Sequence, residues 1–208
     1  MKRLFYQITL FCFLLLFIAC AGKQPAEPSV DAIYDKEDVL RLVNDFMPNI
    51  CEYRGRANIK FTERGMARSS AAMLVKECRG DMDIKILGPF GIGLAEFLVR
   101  GDKHFIIQGG KDVTDSYIFA ADADDLVMLR DSLPPPTPES DFRFTVGADN
   151  YIFAYSGGYI SVTSDFYVNT VRKGNRKIDY FWEEGVLKSI RFSRGDMELA
   201  VEFIDQWK

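Results

Sequence analysis

From Gly55 onward, apolar residues recur at every second position in one short run after another, and most runs end in a turn carrying glycine. A period of two marks strands with one buried face, so a chain built of many such runs has to fold as a sheet. Gly55, Ala57, Ile59 and Phe61 alternate with Arg56, Asn58 and Lys60, and Ala71, Met73 and Val75 continue an apolar face after the turn Thr62-Glu63-Arg64-Gly65. Met82, Ile84 and Ile86 then alternate with Asp83 and Lys85, and Ala95, Phe97 and Val99 with Glu96. These runs predict an antiparallel meander, extended by strands at His104 to Gln108 and Asp115 to Phe119. The alternation assigns Ile59, Met73, Ile84, Ile86, Phe97 and Val99 to the concave face of the sheet.

Two segments break the pattern with helical spacing. In Asp31 to Met47, Asp35 is placed as N-cap, Val39, Leu40, Leu42, Val43, Phe46 and Met47 form an apolar face, and Pro48 stops the helix. Asp122 to Leu133 carries Leu126, Val127 and Leu129 inward and ends at Pro134-Pro135-Pro136, after which an exposed connection runs to Asp141. Strands return at Phe142 to Val146, Tyr151 to Tyr155, Tyr159 to Thr163, Phe166 to Arg172, Arg176 to Trp182, Leu187 to Ser193 and Met197 to Ile204. The expected fold class is mainly β: one antiparallel sheet of about ten or eleven strands, too large to stay flat, curled into an incomplete barrel with helices at its opening. Such a shape suits a pocket for something long and apolar.

Between the strands at Met82 to Leu87 and Ala95 to Arg100 lies Gly88-Pro89-Phe90-Gly91-Ile92-Gly93. Its Gly and Pro are ordinary turn residues, but Phe90 and Ile92 stand where Asn, Asp or Ser would be expected. They either fold back onto the core or project toward an apolar partner.

At the N-terminus Lys2 and Arg3 precede an apolar run from Ile8 to Ala19, shorter than a comfortable membrane span and ending at Cys20. The pattern Leu16-Phe17-Ile18-Ala19-Cys20 resembles a bacterial lipobox, in which the cysteine is lipidated and becomes the first residue. The expected organisation is a signal peptide over 1–19, a lipidated polar tether over 20–30, and one domain over 31–208. Beyond Cys12 and Cys20 only Cys51 and Cys78 remain, enough for one disulfide. A hairpin folded about Arg64-Gly65 without a slip sets these two opposite each other, whereas the apolar alternation favours a one-residue slip or a bulge. Removing Lys2 and Arg3 takes the net charge from −4 to −6, and the remaining basic residues are scattered, which argues against a nucleic-acid partner.

No catalytic arrangement stands out. His104 is the single histidine and falls in a strand, no nucleophile elbow or phosphate-binding loop occurs, and Gly91-Ile92-Gly93 sits between strands rather than at a helix start. Asp122, Asp124 and Asp125 are accounted for by a helix N-terminus without a metal. The expectation is a protein that is not an enzyme and holds no metal or cofactor.

Gly55-Arg56-Ala57, Ala71, Met73 and Val75, Asp83 to Gly91 followed by Ala95-Glu96-Phe97, Ile190-Arg191-Phe192, and Leu199 to Trp207 together resemble the LolA/LolB-like family, and within it the outer-membrane lipoprotein receptors. The resemblance implies an incomplete barrel whose cavity accepts acyl chains. It implies a monomer anchored in the outer membrane that takes lipoproteins from a LolA-like periplasmic carrier and releases them into the membrane's inner leaflet. It also implies that the loop Pro89, Phe90, Gly91 and Ile92 inserts into the membrane, with Phe90 where the family usually has Leu. Ala21 after the lipidated cysteine agrees with outer-membrane sorting, since Asp there retains a lipoprotein in the inner membrane. The alternative is an envelope lipoprotein of the same fold serving as a structural or interaction module without lipid cargo. The lipobox reading has a direct test: Cys20→Ala should yield an uncleaved or soluble protein in cell fractionation, and a processed, tightly membrane-bound variant would refute it.

Overall fold

The structure, a computed structural model, describes residues 34–47, 52–78, 80–116 and 123–205. The expected signal peptide, Cys20, the expected tether, Cys51, Asp122 and Trp207 lie outside the described residues. Strands β1 (Tyr53–Glu63), β2 (Met66–Lys76), β3 (Met82–Leu87), β4 (Gly93–Arg100), β5 (Lys103–Gln108) and β6 (Lys111–Asp112) form one meander. A second consists of β7 (Arg143–Val146), β8 (Asn150–Tyr155), β9 (Gly158–Thr163), β10 (Val168–Lys173), β11 (Arg176–Glu183), β12 (Val186–Arg194) and β13 (Met197–Phe203). The two meanders join where β1 pairs with β13, giving one thirteen-stranded antiparallel sheet in the order β6 to β1, then β13 to β7. Strands β6 and β7 stand at its edges, so the sheet curls without closing. The thirteen strands equal the number of alternating runs in the sequence and exceed the sheet of about ten or eleven expected, because the short edge strands β6 and β7 pair as well.

A sixth strand forms at Lys111–Asp112; of the strand expected at Asp115 to Phe119, Asp115 and Ser116 stand in a 3-10 turn and residues 117–119 lie outside the described residues. Gly109 and Gly110 both take positive φ and turn the chain at once, so pairing with β5 begins at Lys111. The Asp112 carboxylate then accepts from the Thr114 N–H at 2.9 Å, and Thr114–Ser116 becomes a 3-10 turn.

Helix α1 (Lys36–Phe46) begins where the Asp35 carboxylate accepts from the Asp38 N–H at 2.9 Å. It buries Val39 and Val43, while Tyr34 and Phe46 flank the ring of Phe166, which stacks on Tyr151 of β8. Helix α2 (Ala123–Asp131) lays Leu126 and Leu129 against Phe61, Phe192 and Leu199 of the concave face. The proline-rich stretch after it is not the exposed connection expected: Pro135 and Pro138 are buried. Among the described residues no helix is long and apolar enough to cross a membrane.

The register of the first hairpin corrects one expectation. Arg64 (φ 48°) and Gly65 (φ 78°) form a two-residue turn with both φ positive, which sets the partners of β1 and β2 without a slip, from Glu63↔Met66 to Tyr53↔Lys76. The inward residues of β2 are therefore Ala72, Leu74 and Lys76, and Met73 lies on the convex face opposite Arg56. The turn outweighs the apolar alternation because a tight hairpin leaves no room for an extra residue. Cys78, just beyond β2 and in step with this register, is disulfide-bonded.

The same register buries Lys76, which is 5% exposed and donates from Nζ to the Glu77 carbonyl at 2.8 Å. Burial lowers its pKa and the Arg130 guanidinium adds to this, opposed by the carboxylates of Asp131, Asp81 and Glu77. The folded state thus holds this proton less tightly than the unfolded chain does. The cost of the charge is present in full below the lowered pKa and is relieved as pH rises from there toward the ordinary lysine value of about 10.4. Lys76→Met should raise unfolding stability by about 1 kcal/mol in urea titrations at pH below that window and flatten the rise across it. A loss of stability would show that the contact with Glu77 outweighs desolvation.

Candidate functional site

The β1–β2 hairpin is longer than the β3–β4 hairpin beside it. Pairing of β2 with β3 ends at Ala71↔Leu87, whereas β2 continues to Met66 alongside β1. This mismatch leaves a notch in the rim of the curled sheet, and a cavity of about 560 Å³ opens there. Its size falls within the usual range of about 300–1,000 Å³ for small-ligand pockets. The inner faces of β1, β3, β4 and β13 supply Ile59, Phe61, Ile86, Leu94, Ala95, Phe97 and Leu199, and the rim adds Met66, Glu63, Arg68, Ser69, Ser70 and Gln108.

Of the six residues assigned to the concave lining, Ile59, Ile86 and Phe97 line this cavity. Ile84 and Val99 share their face but are packed into the core, paired with Phe97 and Met82 respectively, and Met73 is on the other side of the sheet. Phe61 and Ala95 follow the same alternation as Ile59 and Phe97 and were legible from it. Leu199 was not, because only the β1–β13 pairing sets it beside Phe61.

The loop Gly88 to Ile92 edges the notch. Its backbone closes on itself: the Gly88 N–H donates to the Ile92 carbonyl at 2.7 Å and the Gly91 N–H to the Gly88 carbonyl at 3.1 Å. No side chain is needed for that closure, and Phe90 is fully exposed. Phe90 also has φ 60° and ψ 19°, a left-handed conformation that costs a non-glycine residue roughly 1–2 kcal/mol. Gly91 follows at φ 76°, where glycine carries no such cost. Ile92 in the loop is 64% exposed, and Leu94 and Met66, which line the cavity, are 50% and 64% exposed, so unburied apolar side chains stand both on the loop and on the cavity wall.

Helix α2 is held across the concave face by a buried ion cluster. Arg176 and Arg194 are direct partners on β11 and β12, a like-charge pairing that a sheet disfavours. Asp125 of α2 is 2% exposed and reaches both, at 2.7 Å to Arg176 Nε and 2.7 Å to Arg194 Nη2. At the other end of the helix, Arg130 donates to the Gly101 carbonyl and the buried Tyr180 hydroxyl donates to the Ser132 carbonyl at 2.9 Å. Asp125, read from the sequence only as part of a helix N-terminus, is thus a structural counter-ion. Among the described residues no group of three or more His, Cys, Asp or Glu is placed to hold a metal.

An unclosed, curled antiparallel sheet with helices on its concave face and an apolar cavity beneath its rim defines a LolA-like fold. The chain superposes on a LolA superfamily protein from Nitrosomonas europaea with a TM-score of 0.52 at 9% identity, over 84% of this chain and 94% of that one. It superposes on a DUF1329 family protein from Desulfovibrio piger ATCC 29098 with a TM-score of 0.50 at 11% identity, over 82% and 91% of the two chains. By sequence, no family model and no curated protein matches. The shared feature is therefore the fold.

The ion cluster can be tested by itself. Asp125→Ala leaves two partly buried guanidinium groups facing each other and should cost about 3 kcal/mol of unfolding stability, read from the urea midpoint. An unchanged midpoint would show that the ion cluster adds nothing to the hold that the apolar face and the far-side hydrogen bonds have on α2.

Proposed function

We propose that this chain is an outer-membrane lipoprotein that receives lipoproteins from a periplasmic LolA-like carrier and inserts them into the membrane's inner leaflet. The observation that carries the reading is the fully exposed, left-handed Phe90 on a self-closed loop at the edge of an apolar cavity. The cavity holds cargo acyl chains, each buried CH₂ contributing about 0.8 kcal/mol. The loop, with Ile92 and Leu94 behind it, contacts the bilayer and offers those chains a second apolar phase. Transfer then follows the difference in acyl burial between cavity and bilayer and needs no covalent chemistry. A lipid on Cys20 keeps the monomer at the membrane, so the loop has only to orient it. Burying one Phe side chain is worth about 1.5–3 kcal/mol, too little to anchor a protein by itself but enough for that task.

A second reading is an envelope module of the same fold without cargo. It is favoured by the filling of the concave face beyond the notch, where Phe153, Ile160, Ile178, Tyr180 and Ile190 are buried among themselves and the helices. A fluorescent fatty acyl probe separates the two readings: binding supports transfer, and failure to bind supports the module.

Phe90→Glu should leave thermal unfolding and acyl-probe binding unchanged while blocking delivery of a carrier-bound lipoprotein to outer-membrane vesicles. Normal delivery by this variant would overturn the role of the loop, and loss of the fold would show that Phe90 belongs to the core.

A further inference from the structure

The rim of the cavity carries two charged side chains that its apolar walls do not call for. Glu63 and Arg68 both line it, and among the described residues neither is engaged in an ion pair. Their positions follow from the first hairpin: Phe61 is opposite Arg68 and Glu63 opposite Met66, so Glu63 and Arg68 are diagonal neighbours on one face. Such neighbours lie roughly 7–8 Å apart, close enough for one small group carrying both signs of charge to meet both. Ser69, Ser70 and Gln108 add hydroxyl and amide groups at the same mouth. The Ser70 hydroxyl donates to the Leu87 carbonyl at 2.8 Å, leaving its oxygen to accept.

We propose that the cavity takes an acyl chain of a zwitterionic phospholipid, with the phosphate against Arg68 and the ammonium against Glu63. A neutral diacylglycerol would leave both charges without a partner, and a head group with only a phosphate would meet Arg68 but face repulsion from Glu63. This inference rests on the acyl-chain reading of the cavity and names a second ligand for it. A bilayer phospholipid that enters as cargo leaves keeps the apolar walls from standing open to water, so release becomes an exchange.

The test uses the full chain in detergent with pyrene-labelled phosphatidylethanolamine, phosphatidylglycerol and diacylglycerol of equal chain length. Phosphatidylethanolamine should bind most tightly. Arg68→Gln should weaken both phospholipids about tenfold and leave diacylglycerol unchanged, as expected for loss of one charge-assisted contact. Glu63→Gln should bring phosphatidylglycerol up to phosphatidylethanolamine. Lys60→Gln, on the opposite face of β1, should change none of the three affinities. Equal binding of all three lipids, or an Arg68→Gln effect common to all three, would overturn the head-group assignment while leaving the cavity reading intact. Failure of every lipid to bind would overturn the cavity reading itself, and this inference with it.

Discussion

The pairing of β1 with β13 is the constraint on which the other features depend. Every other strand pair joins neighbours in sequence, but here the two ends of the domain meet: the Arg56 N–H donates at 2.7 Å to the carboxylate of Asp205, 149 positions along the chain. Closing so long a loop costs entropy, although the cost rises only slowly with length. It is offset on the concave face, where Ala57, Ile59 and Phe61 stand opposite Phe203, Val201 and Leu199. Gly55 belongs to the same seam, because a Cβ there would come within 2.9 Å of Asp205 Cβ and 2.7 Å of the Tyr53 hydroxyl. Without this seam there would be two separate meanders, no common curl and no cavity wall at Leu199.

Helix α2 turns the curled sheet into a packed domain with a cavity at one end. Its anchorage is electrostatic at the rim and hydrogen-bonded at the far side, with Leu126 and Leu129 buried between. The arrangement resolves a conflict that the sheet creates, since the β11–β12 register puts Arg176 opposite Arg194. A carboxylate from another element is the direct remedy, and a nearly fully buried one is effective because the surrounding protein screens it weakly. The sheet register therefore dictates where the helix has to sit.

The cavity arises from unequal strand lengths rather than from missing core residues. Where β2 outruns β3, the sheet has one wall and no continuation beside it, and the loop at Pro89 to Gly91 occupies the edge of that gap. The exposed apolar residues Phe90, Ile92, Leu94 and Met66 gather there for the same reason: they belong to the strand ends and loops bordering the gap. Chemical character follows position, with aliphatic and aromatic walls inside and Glu63, Arg68 and Gln108 at the water edge.

Much of this was legible in the residues. Period-two alternation and glycine-bearing turns marked nearly every strand, the Asp35 cap marked the first helix, and the apolar Gly88 to Gly93 loop marked itself as unusual, because each of these signals is local. Ile59, Ile86 and Phe97 lie on the face that their own strands' clean alternation indicates, and they line the cavity. Met73 does not, since β2 offers apolar residues on both faces and the choice between them was made by the two-residue turn at Arg64-Gly65. The short β6 and the buried Pro135 and Pro138 escaped for a related reason, their places being set by a turn or by packing that no periodicity records. By itself, then, the sequence determined the strands, the helices and the polarity of each face, which depend on neighbours a few residues away. The seam between β1 and β13, the partners of Asp125, and the notch that opens the cavity were decided only in the tertiary structure, because each brings together groups far apart in the chain.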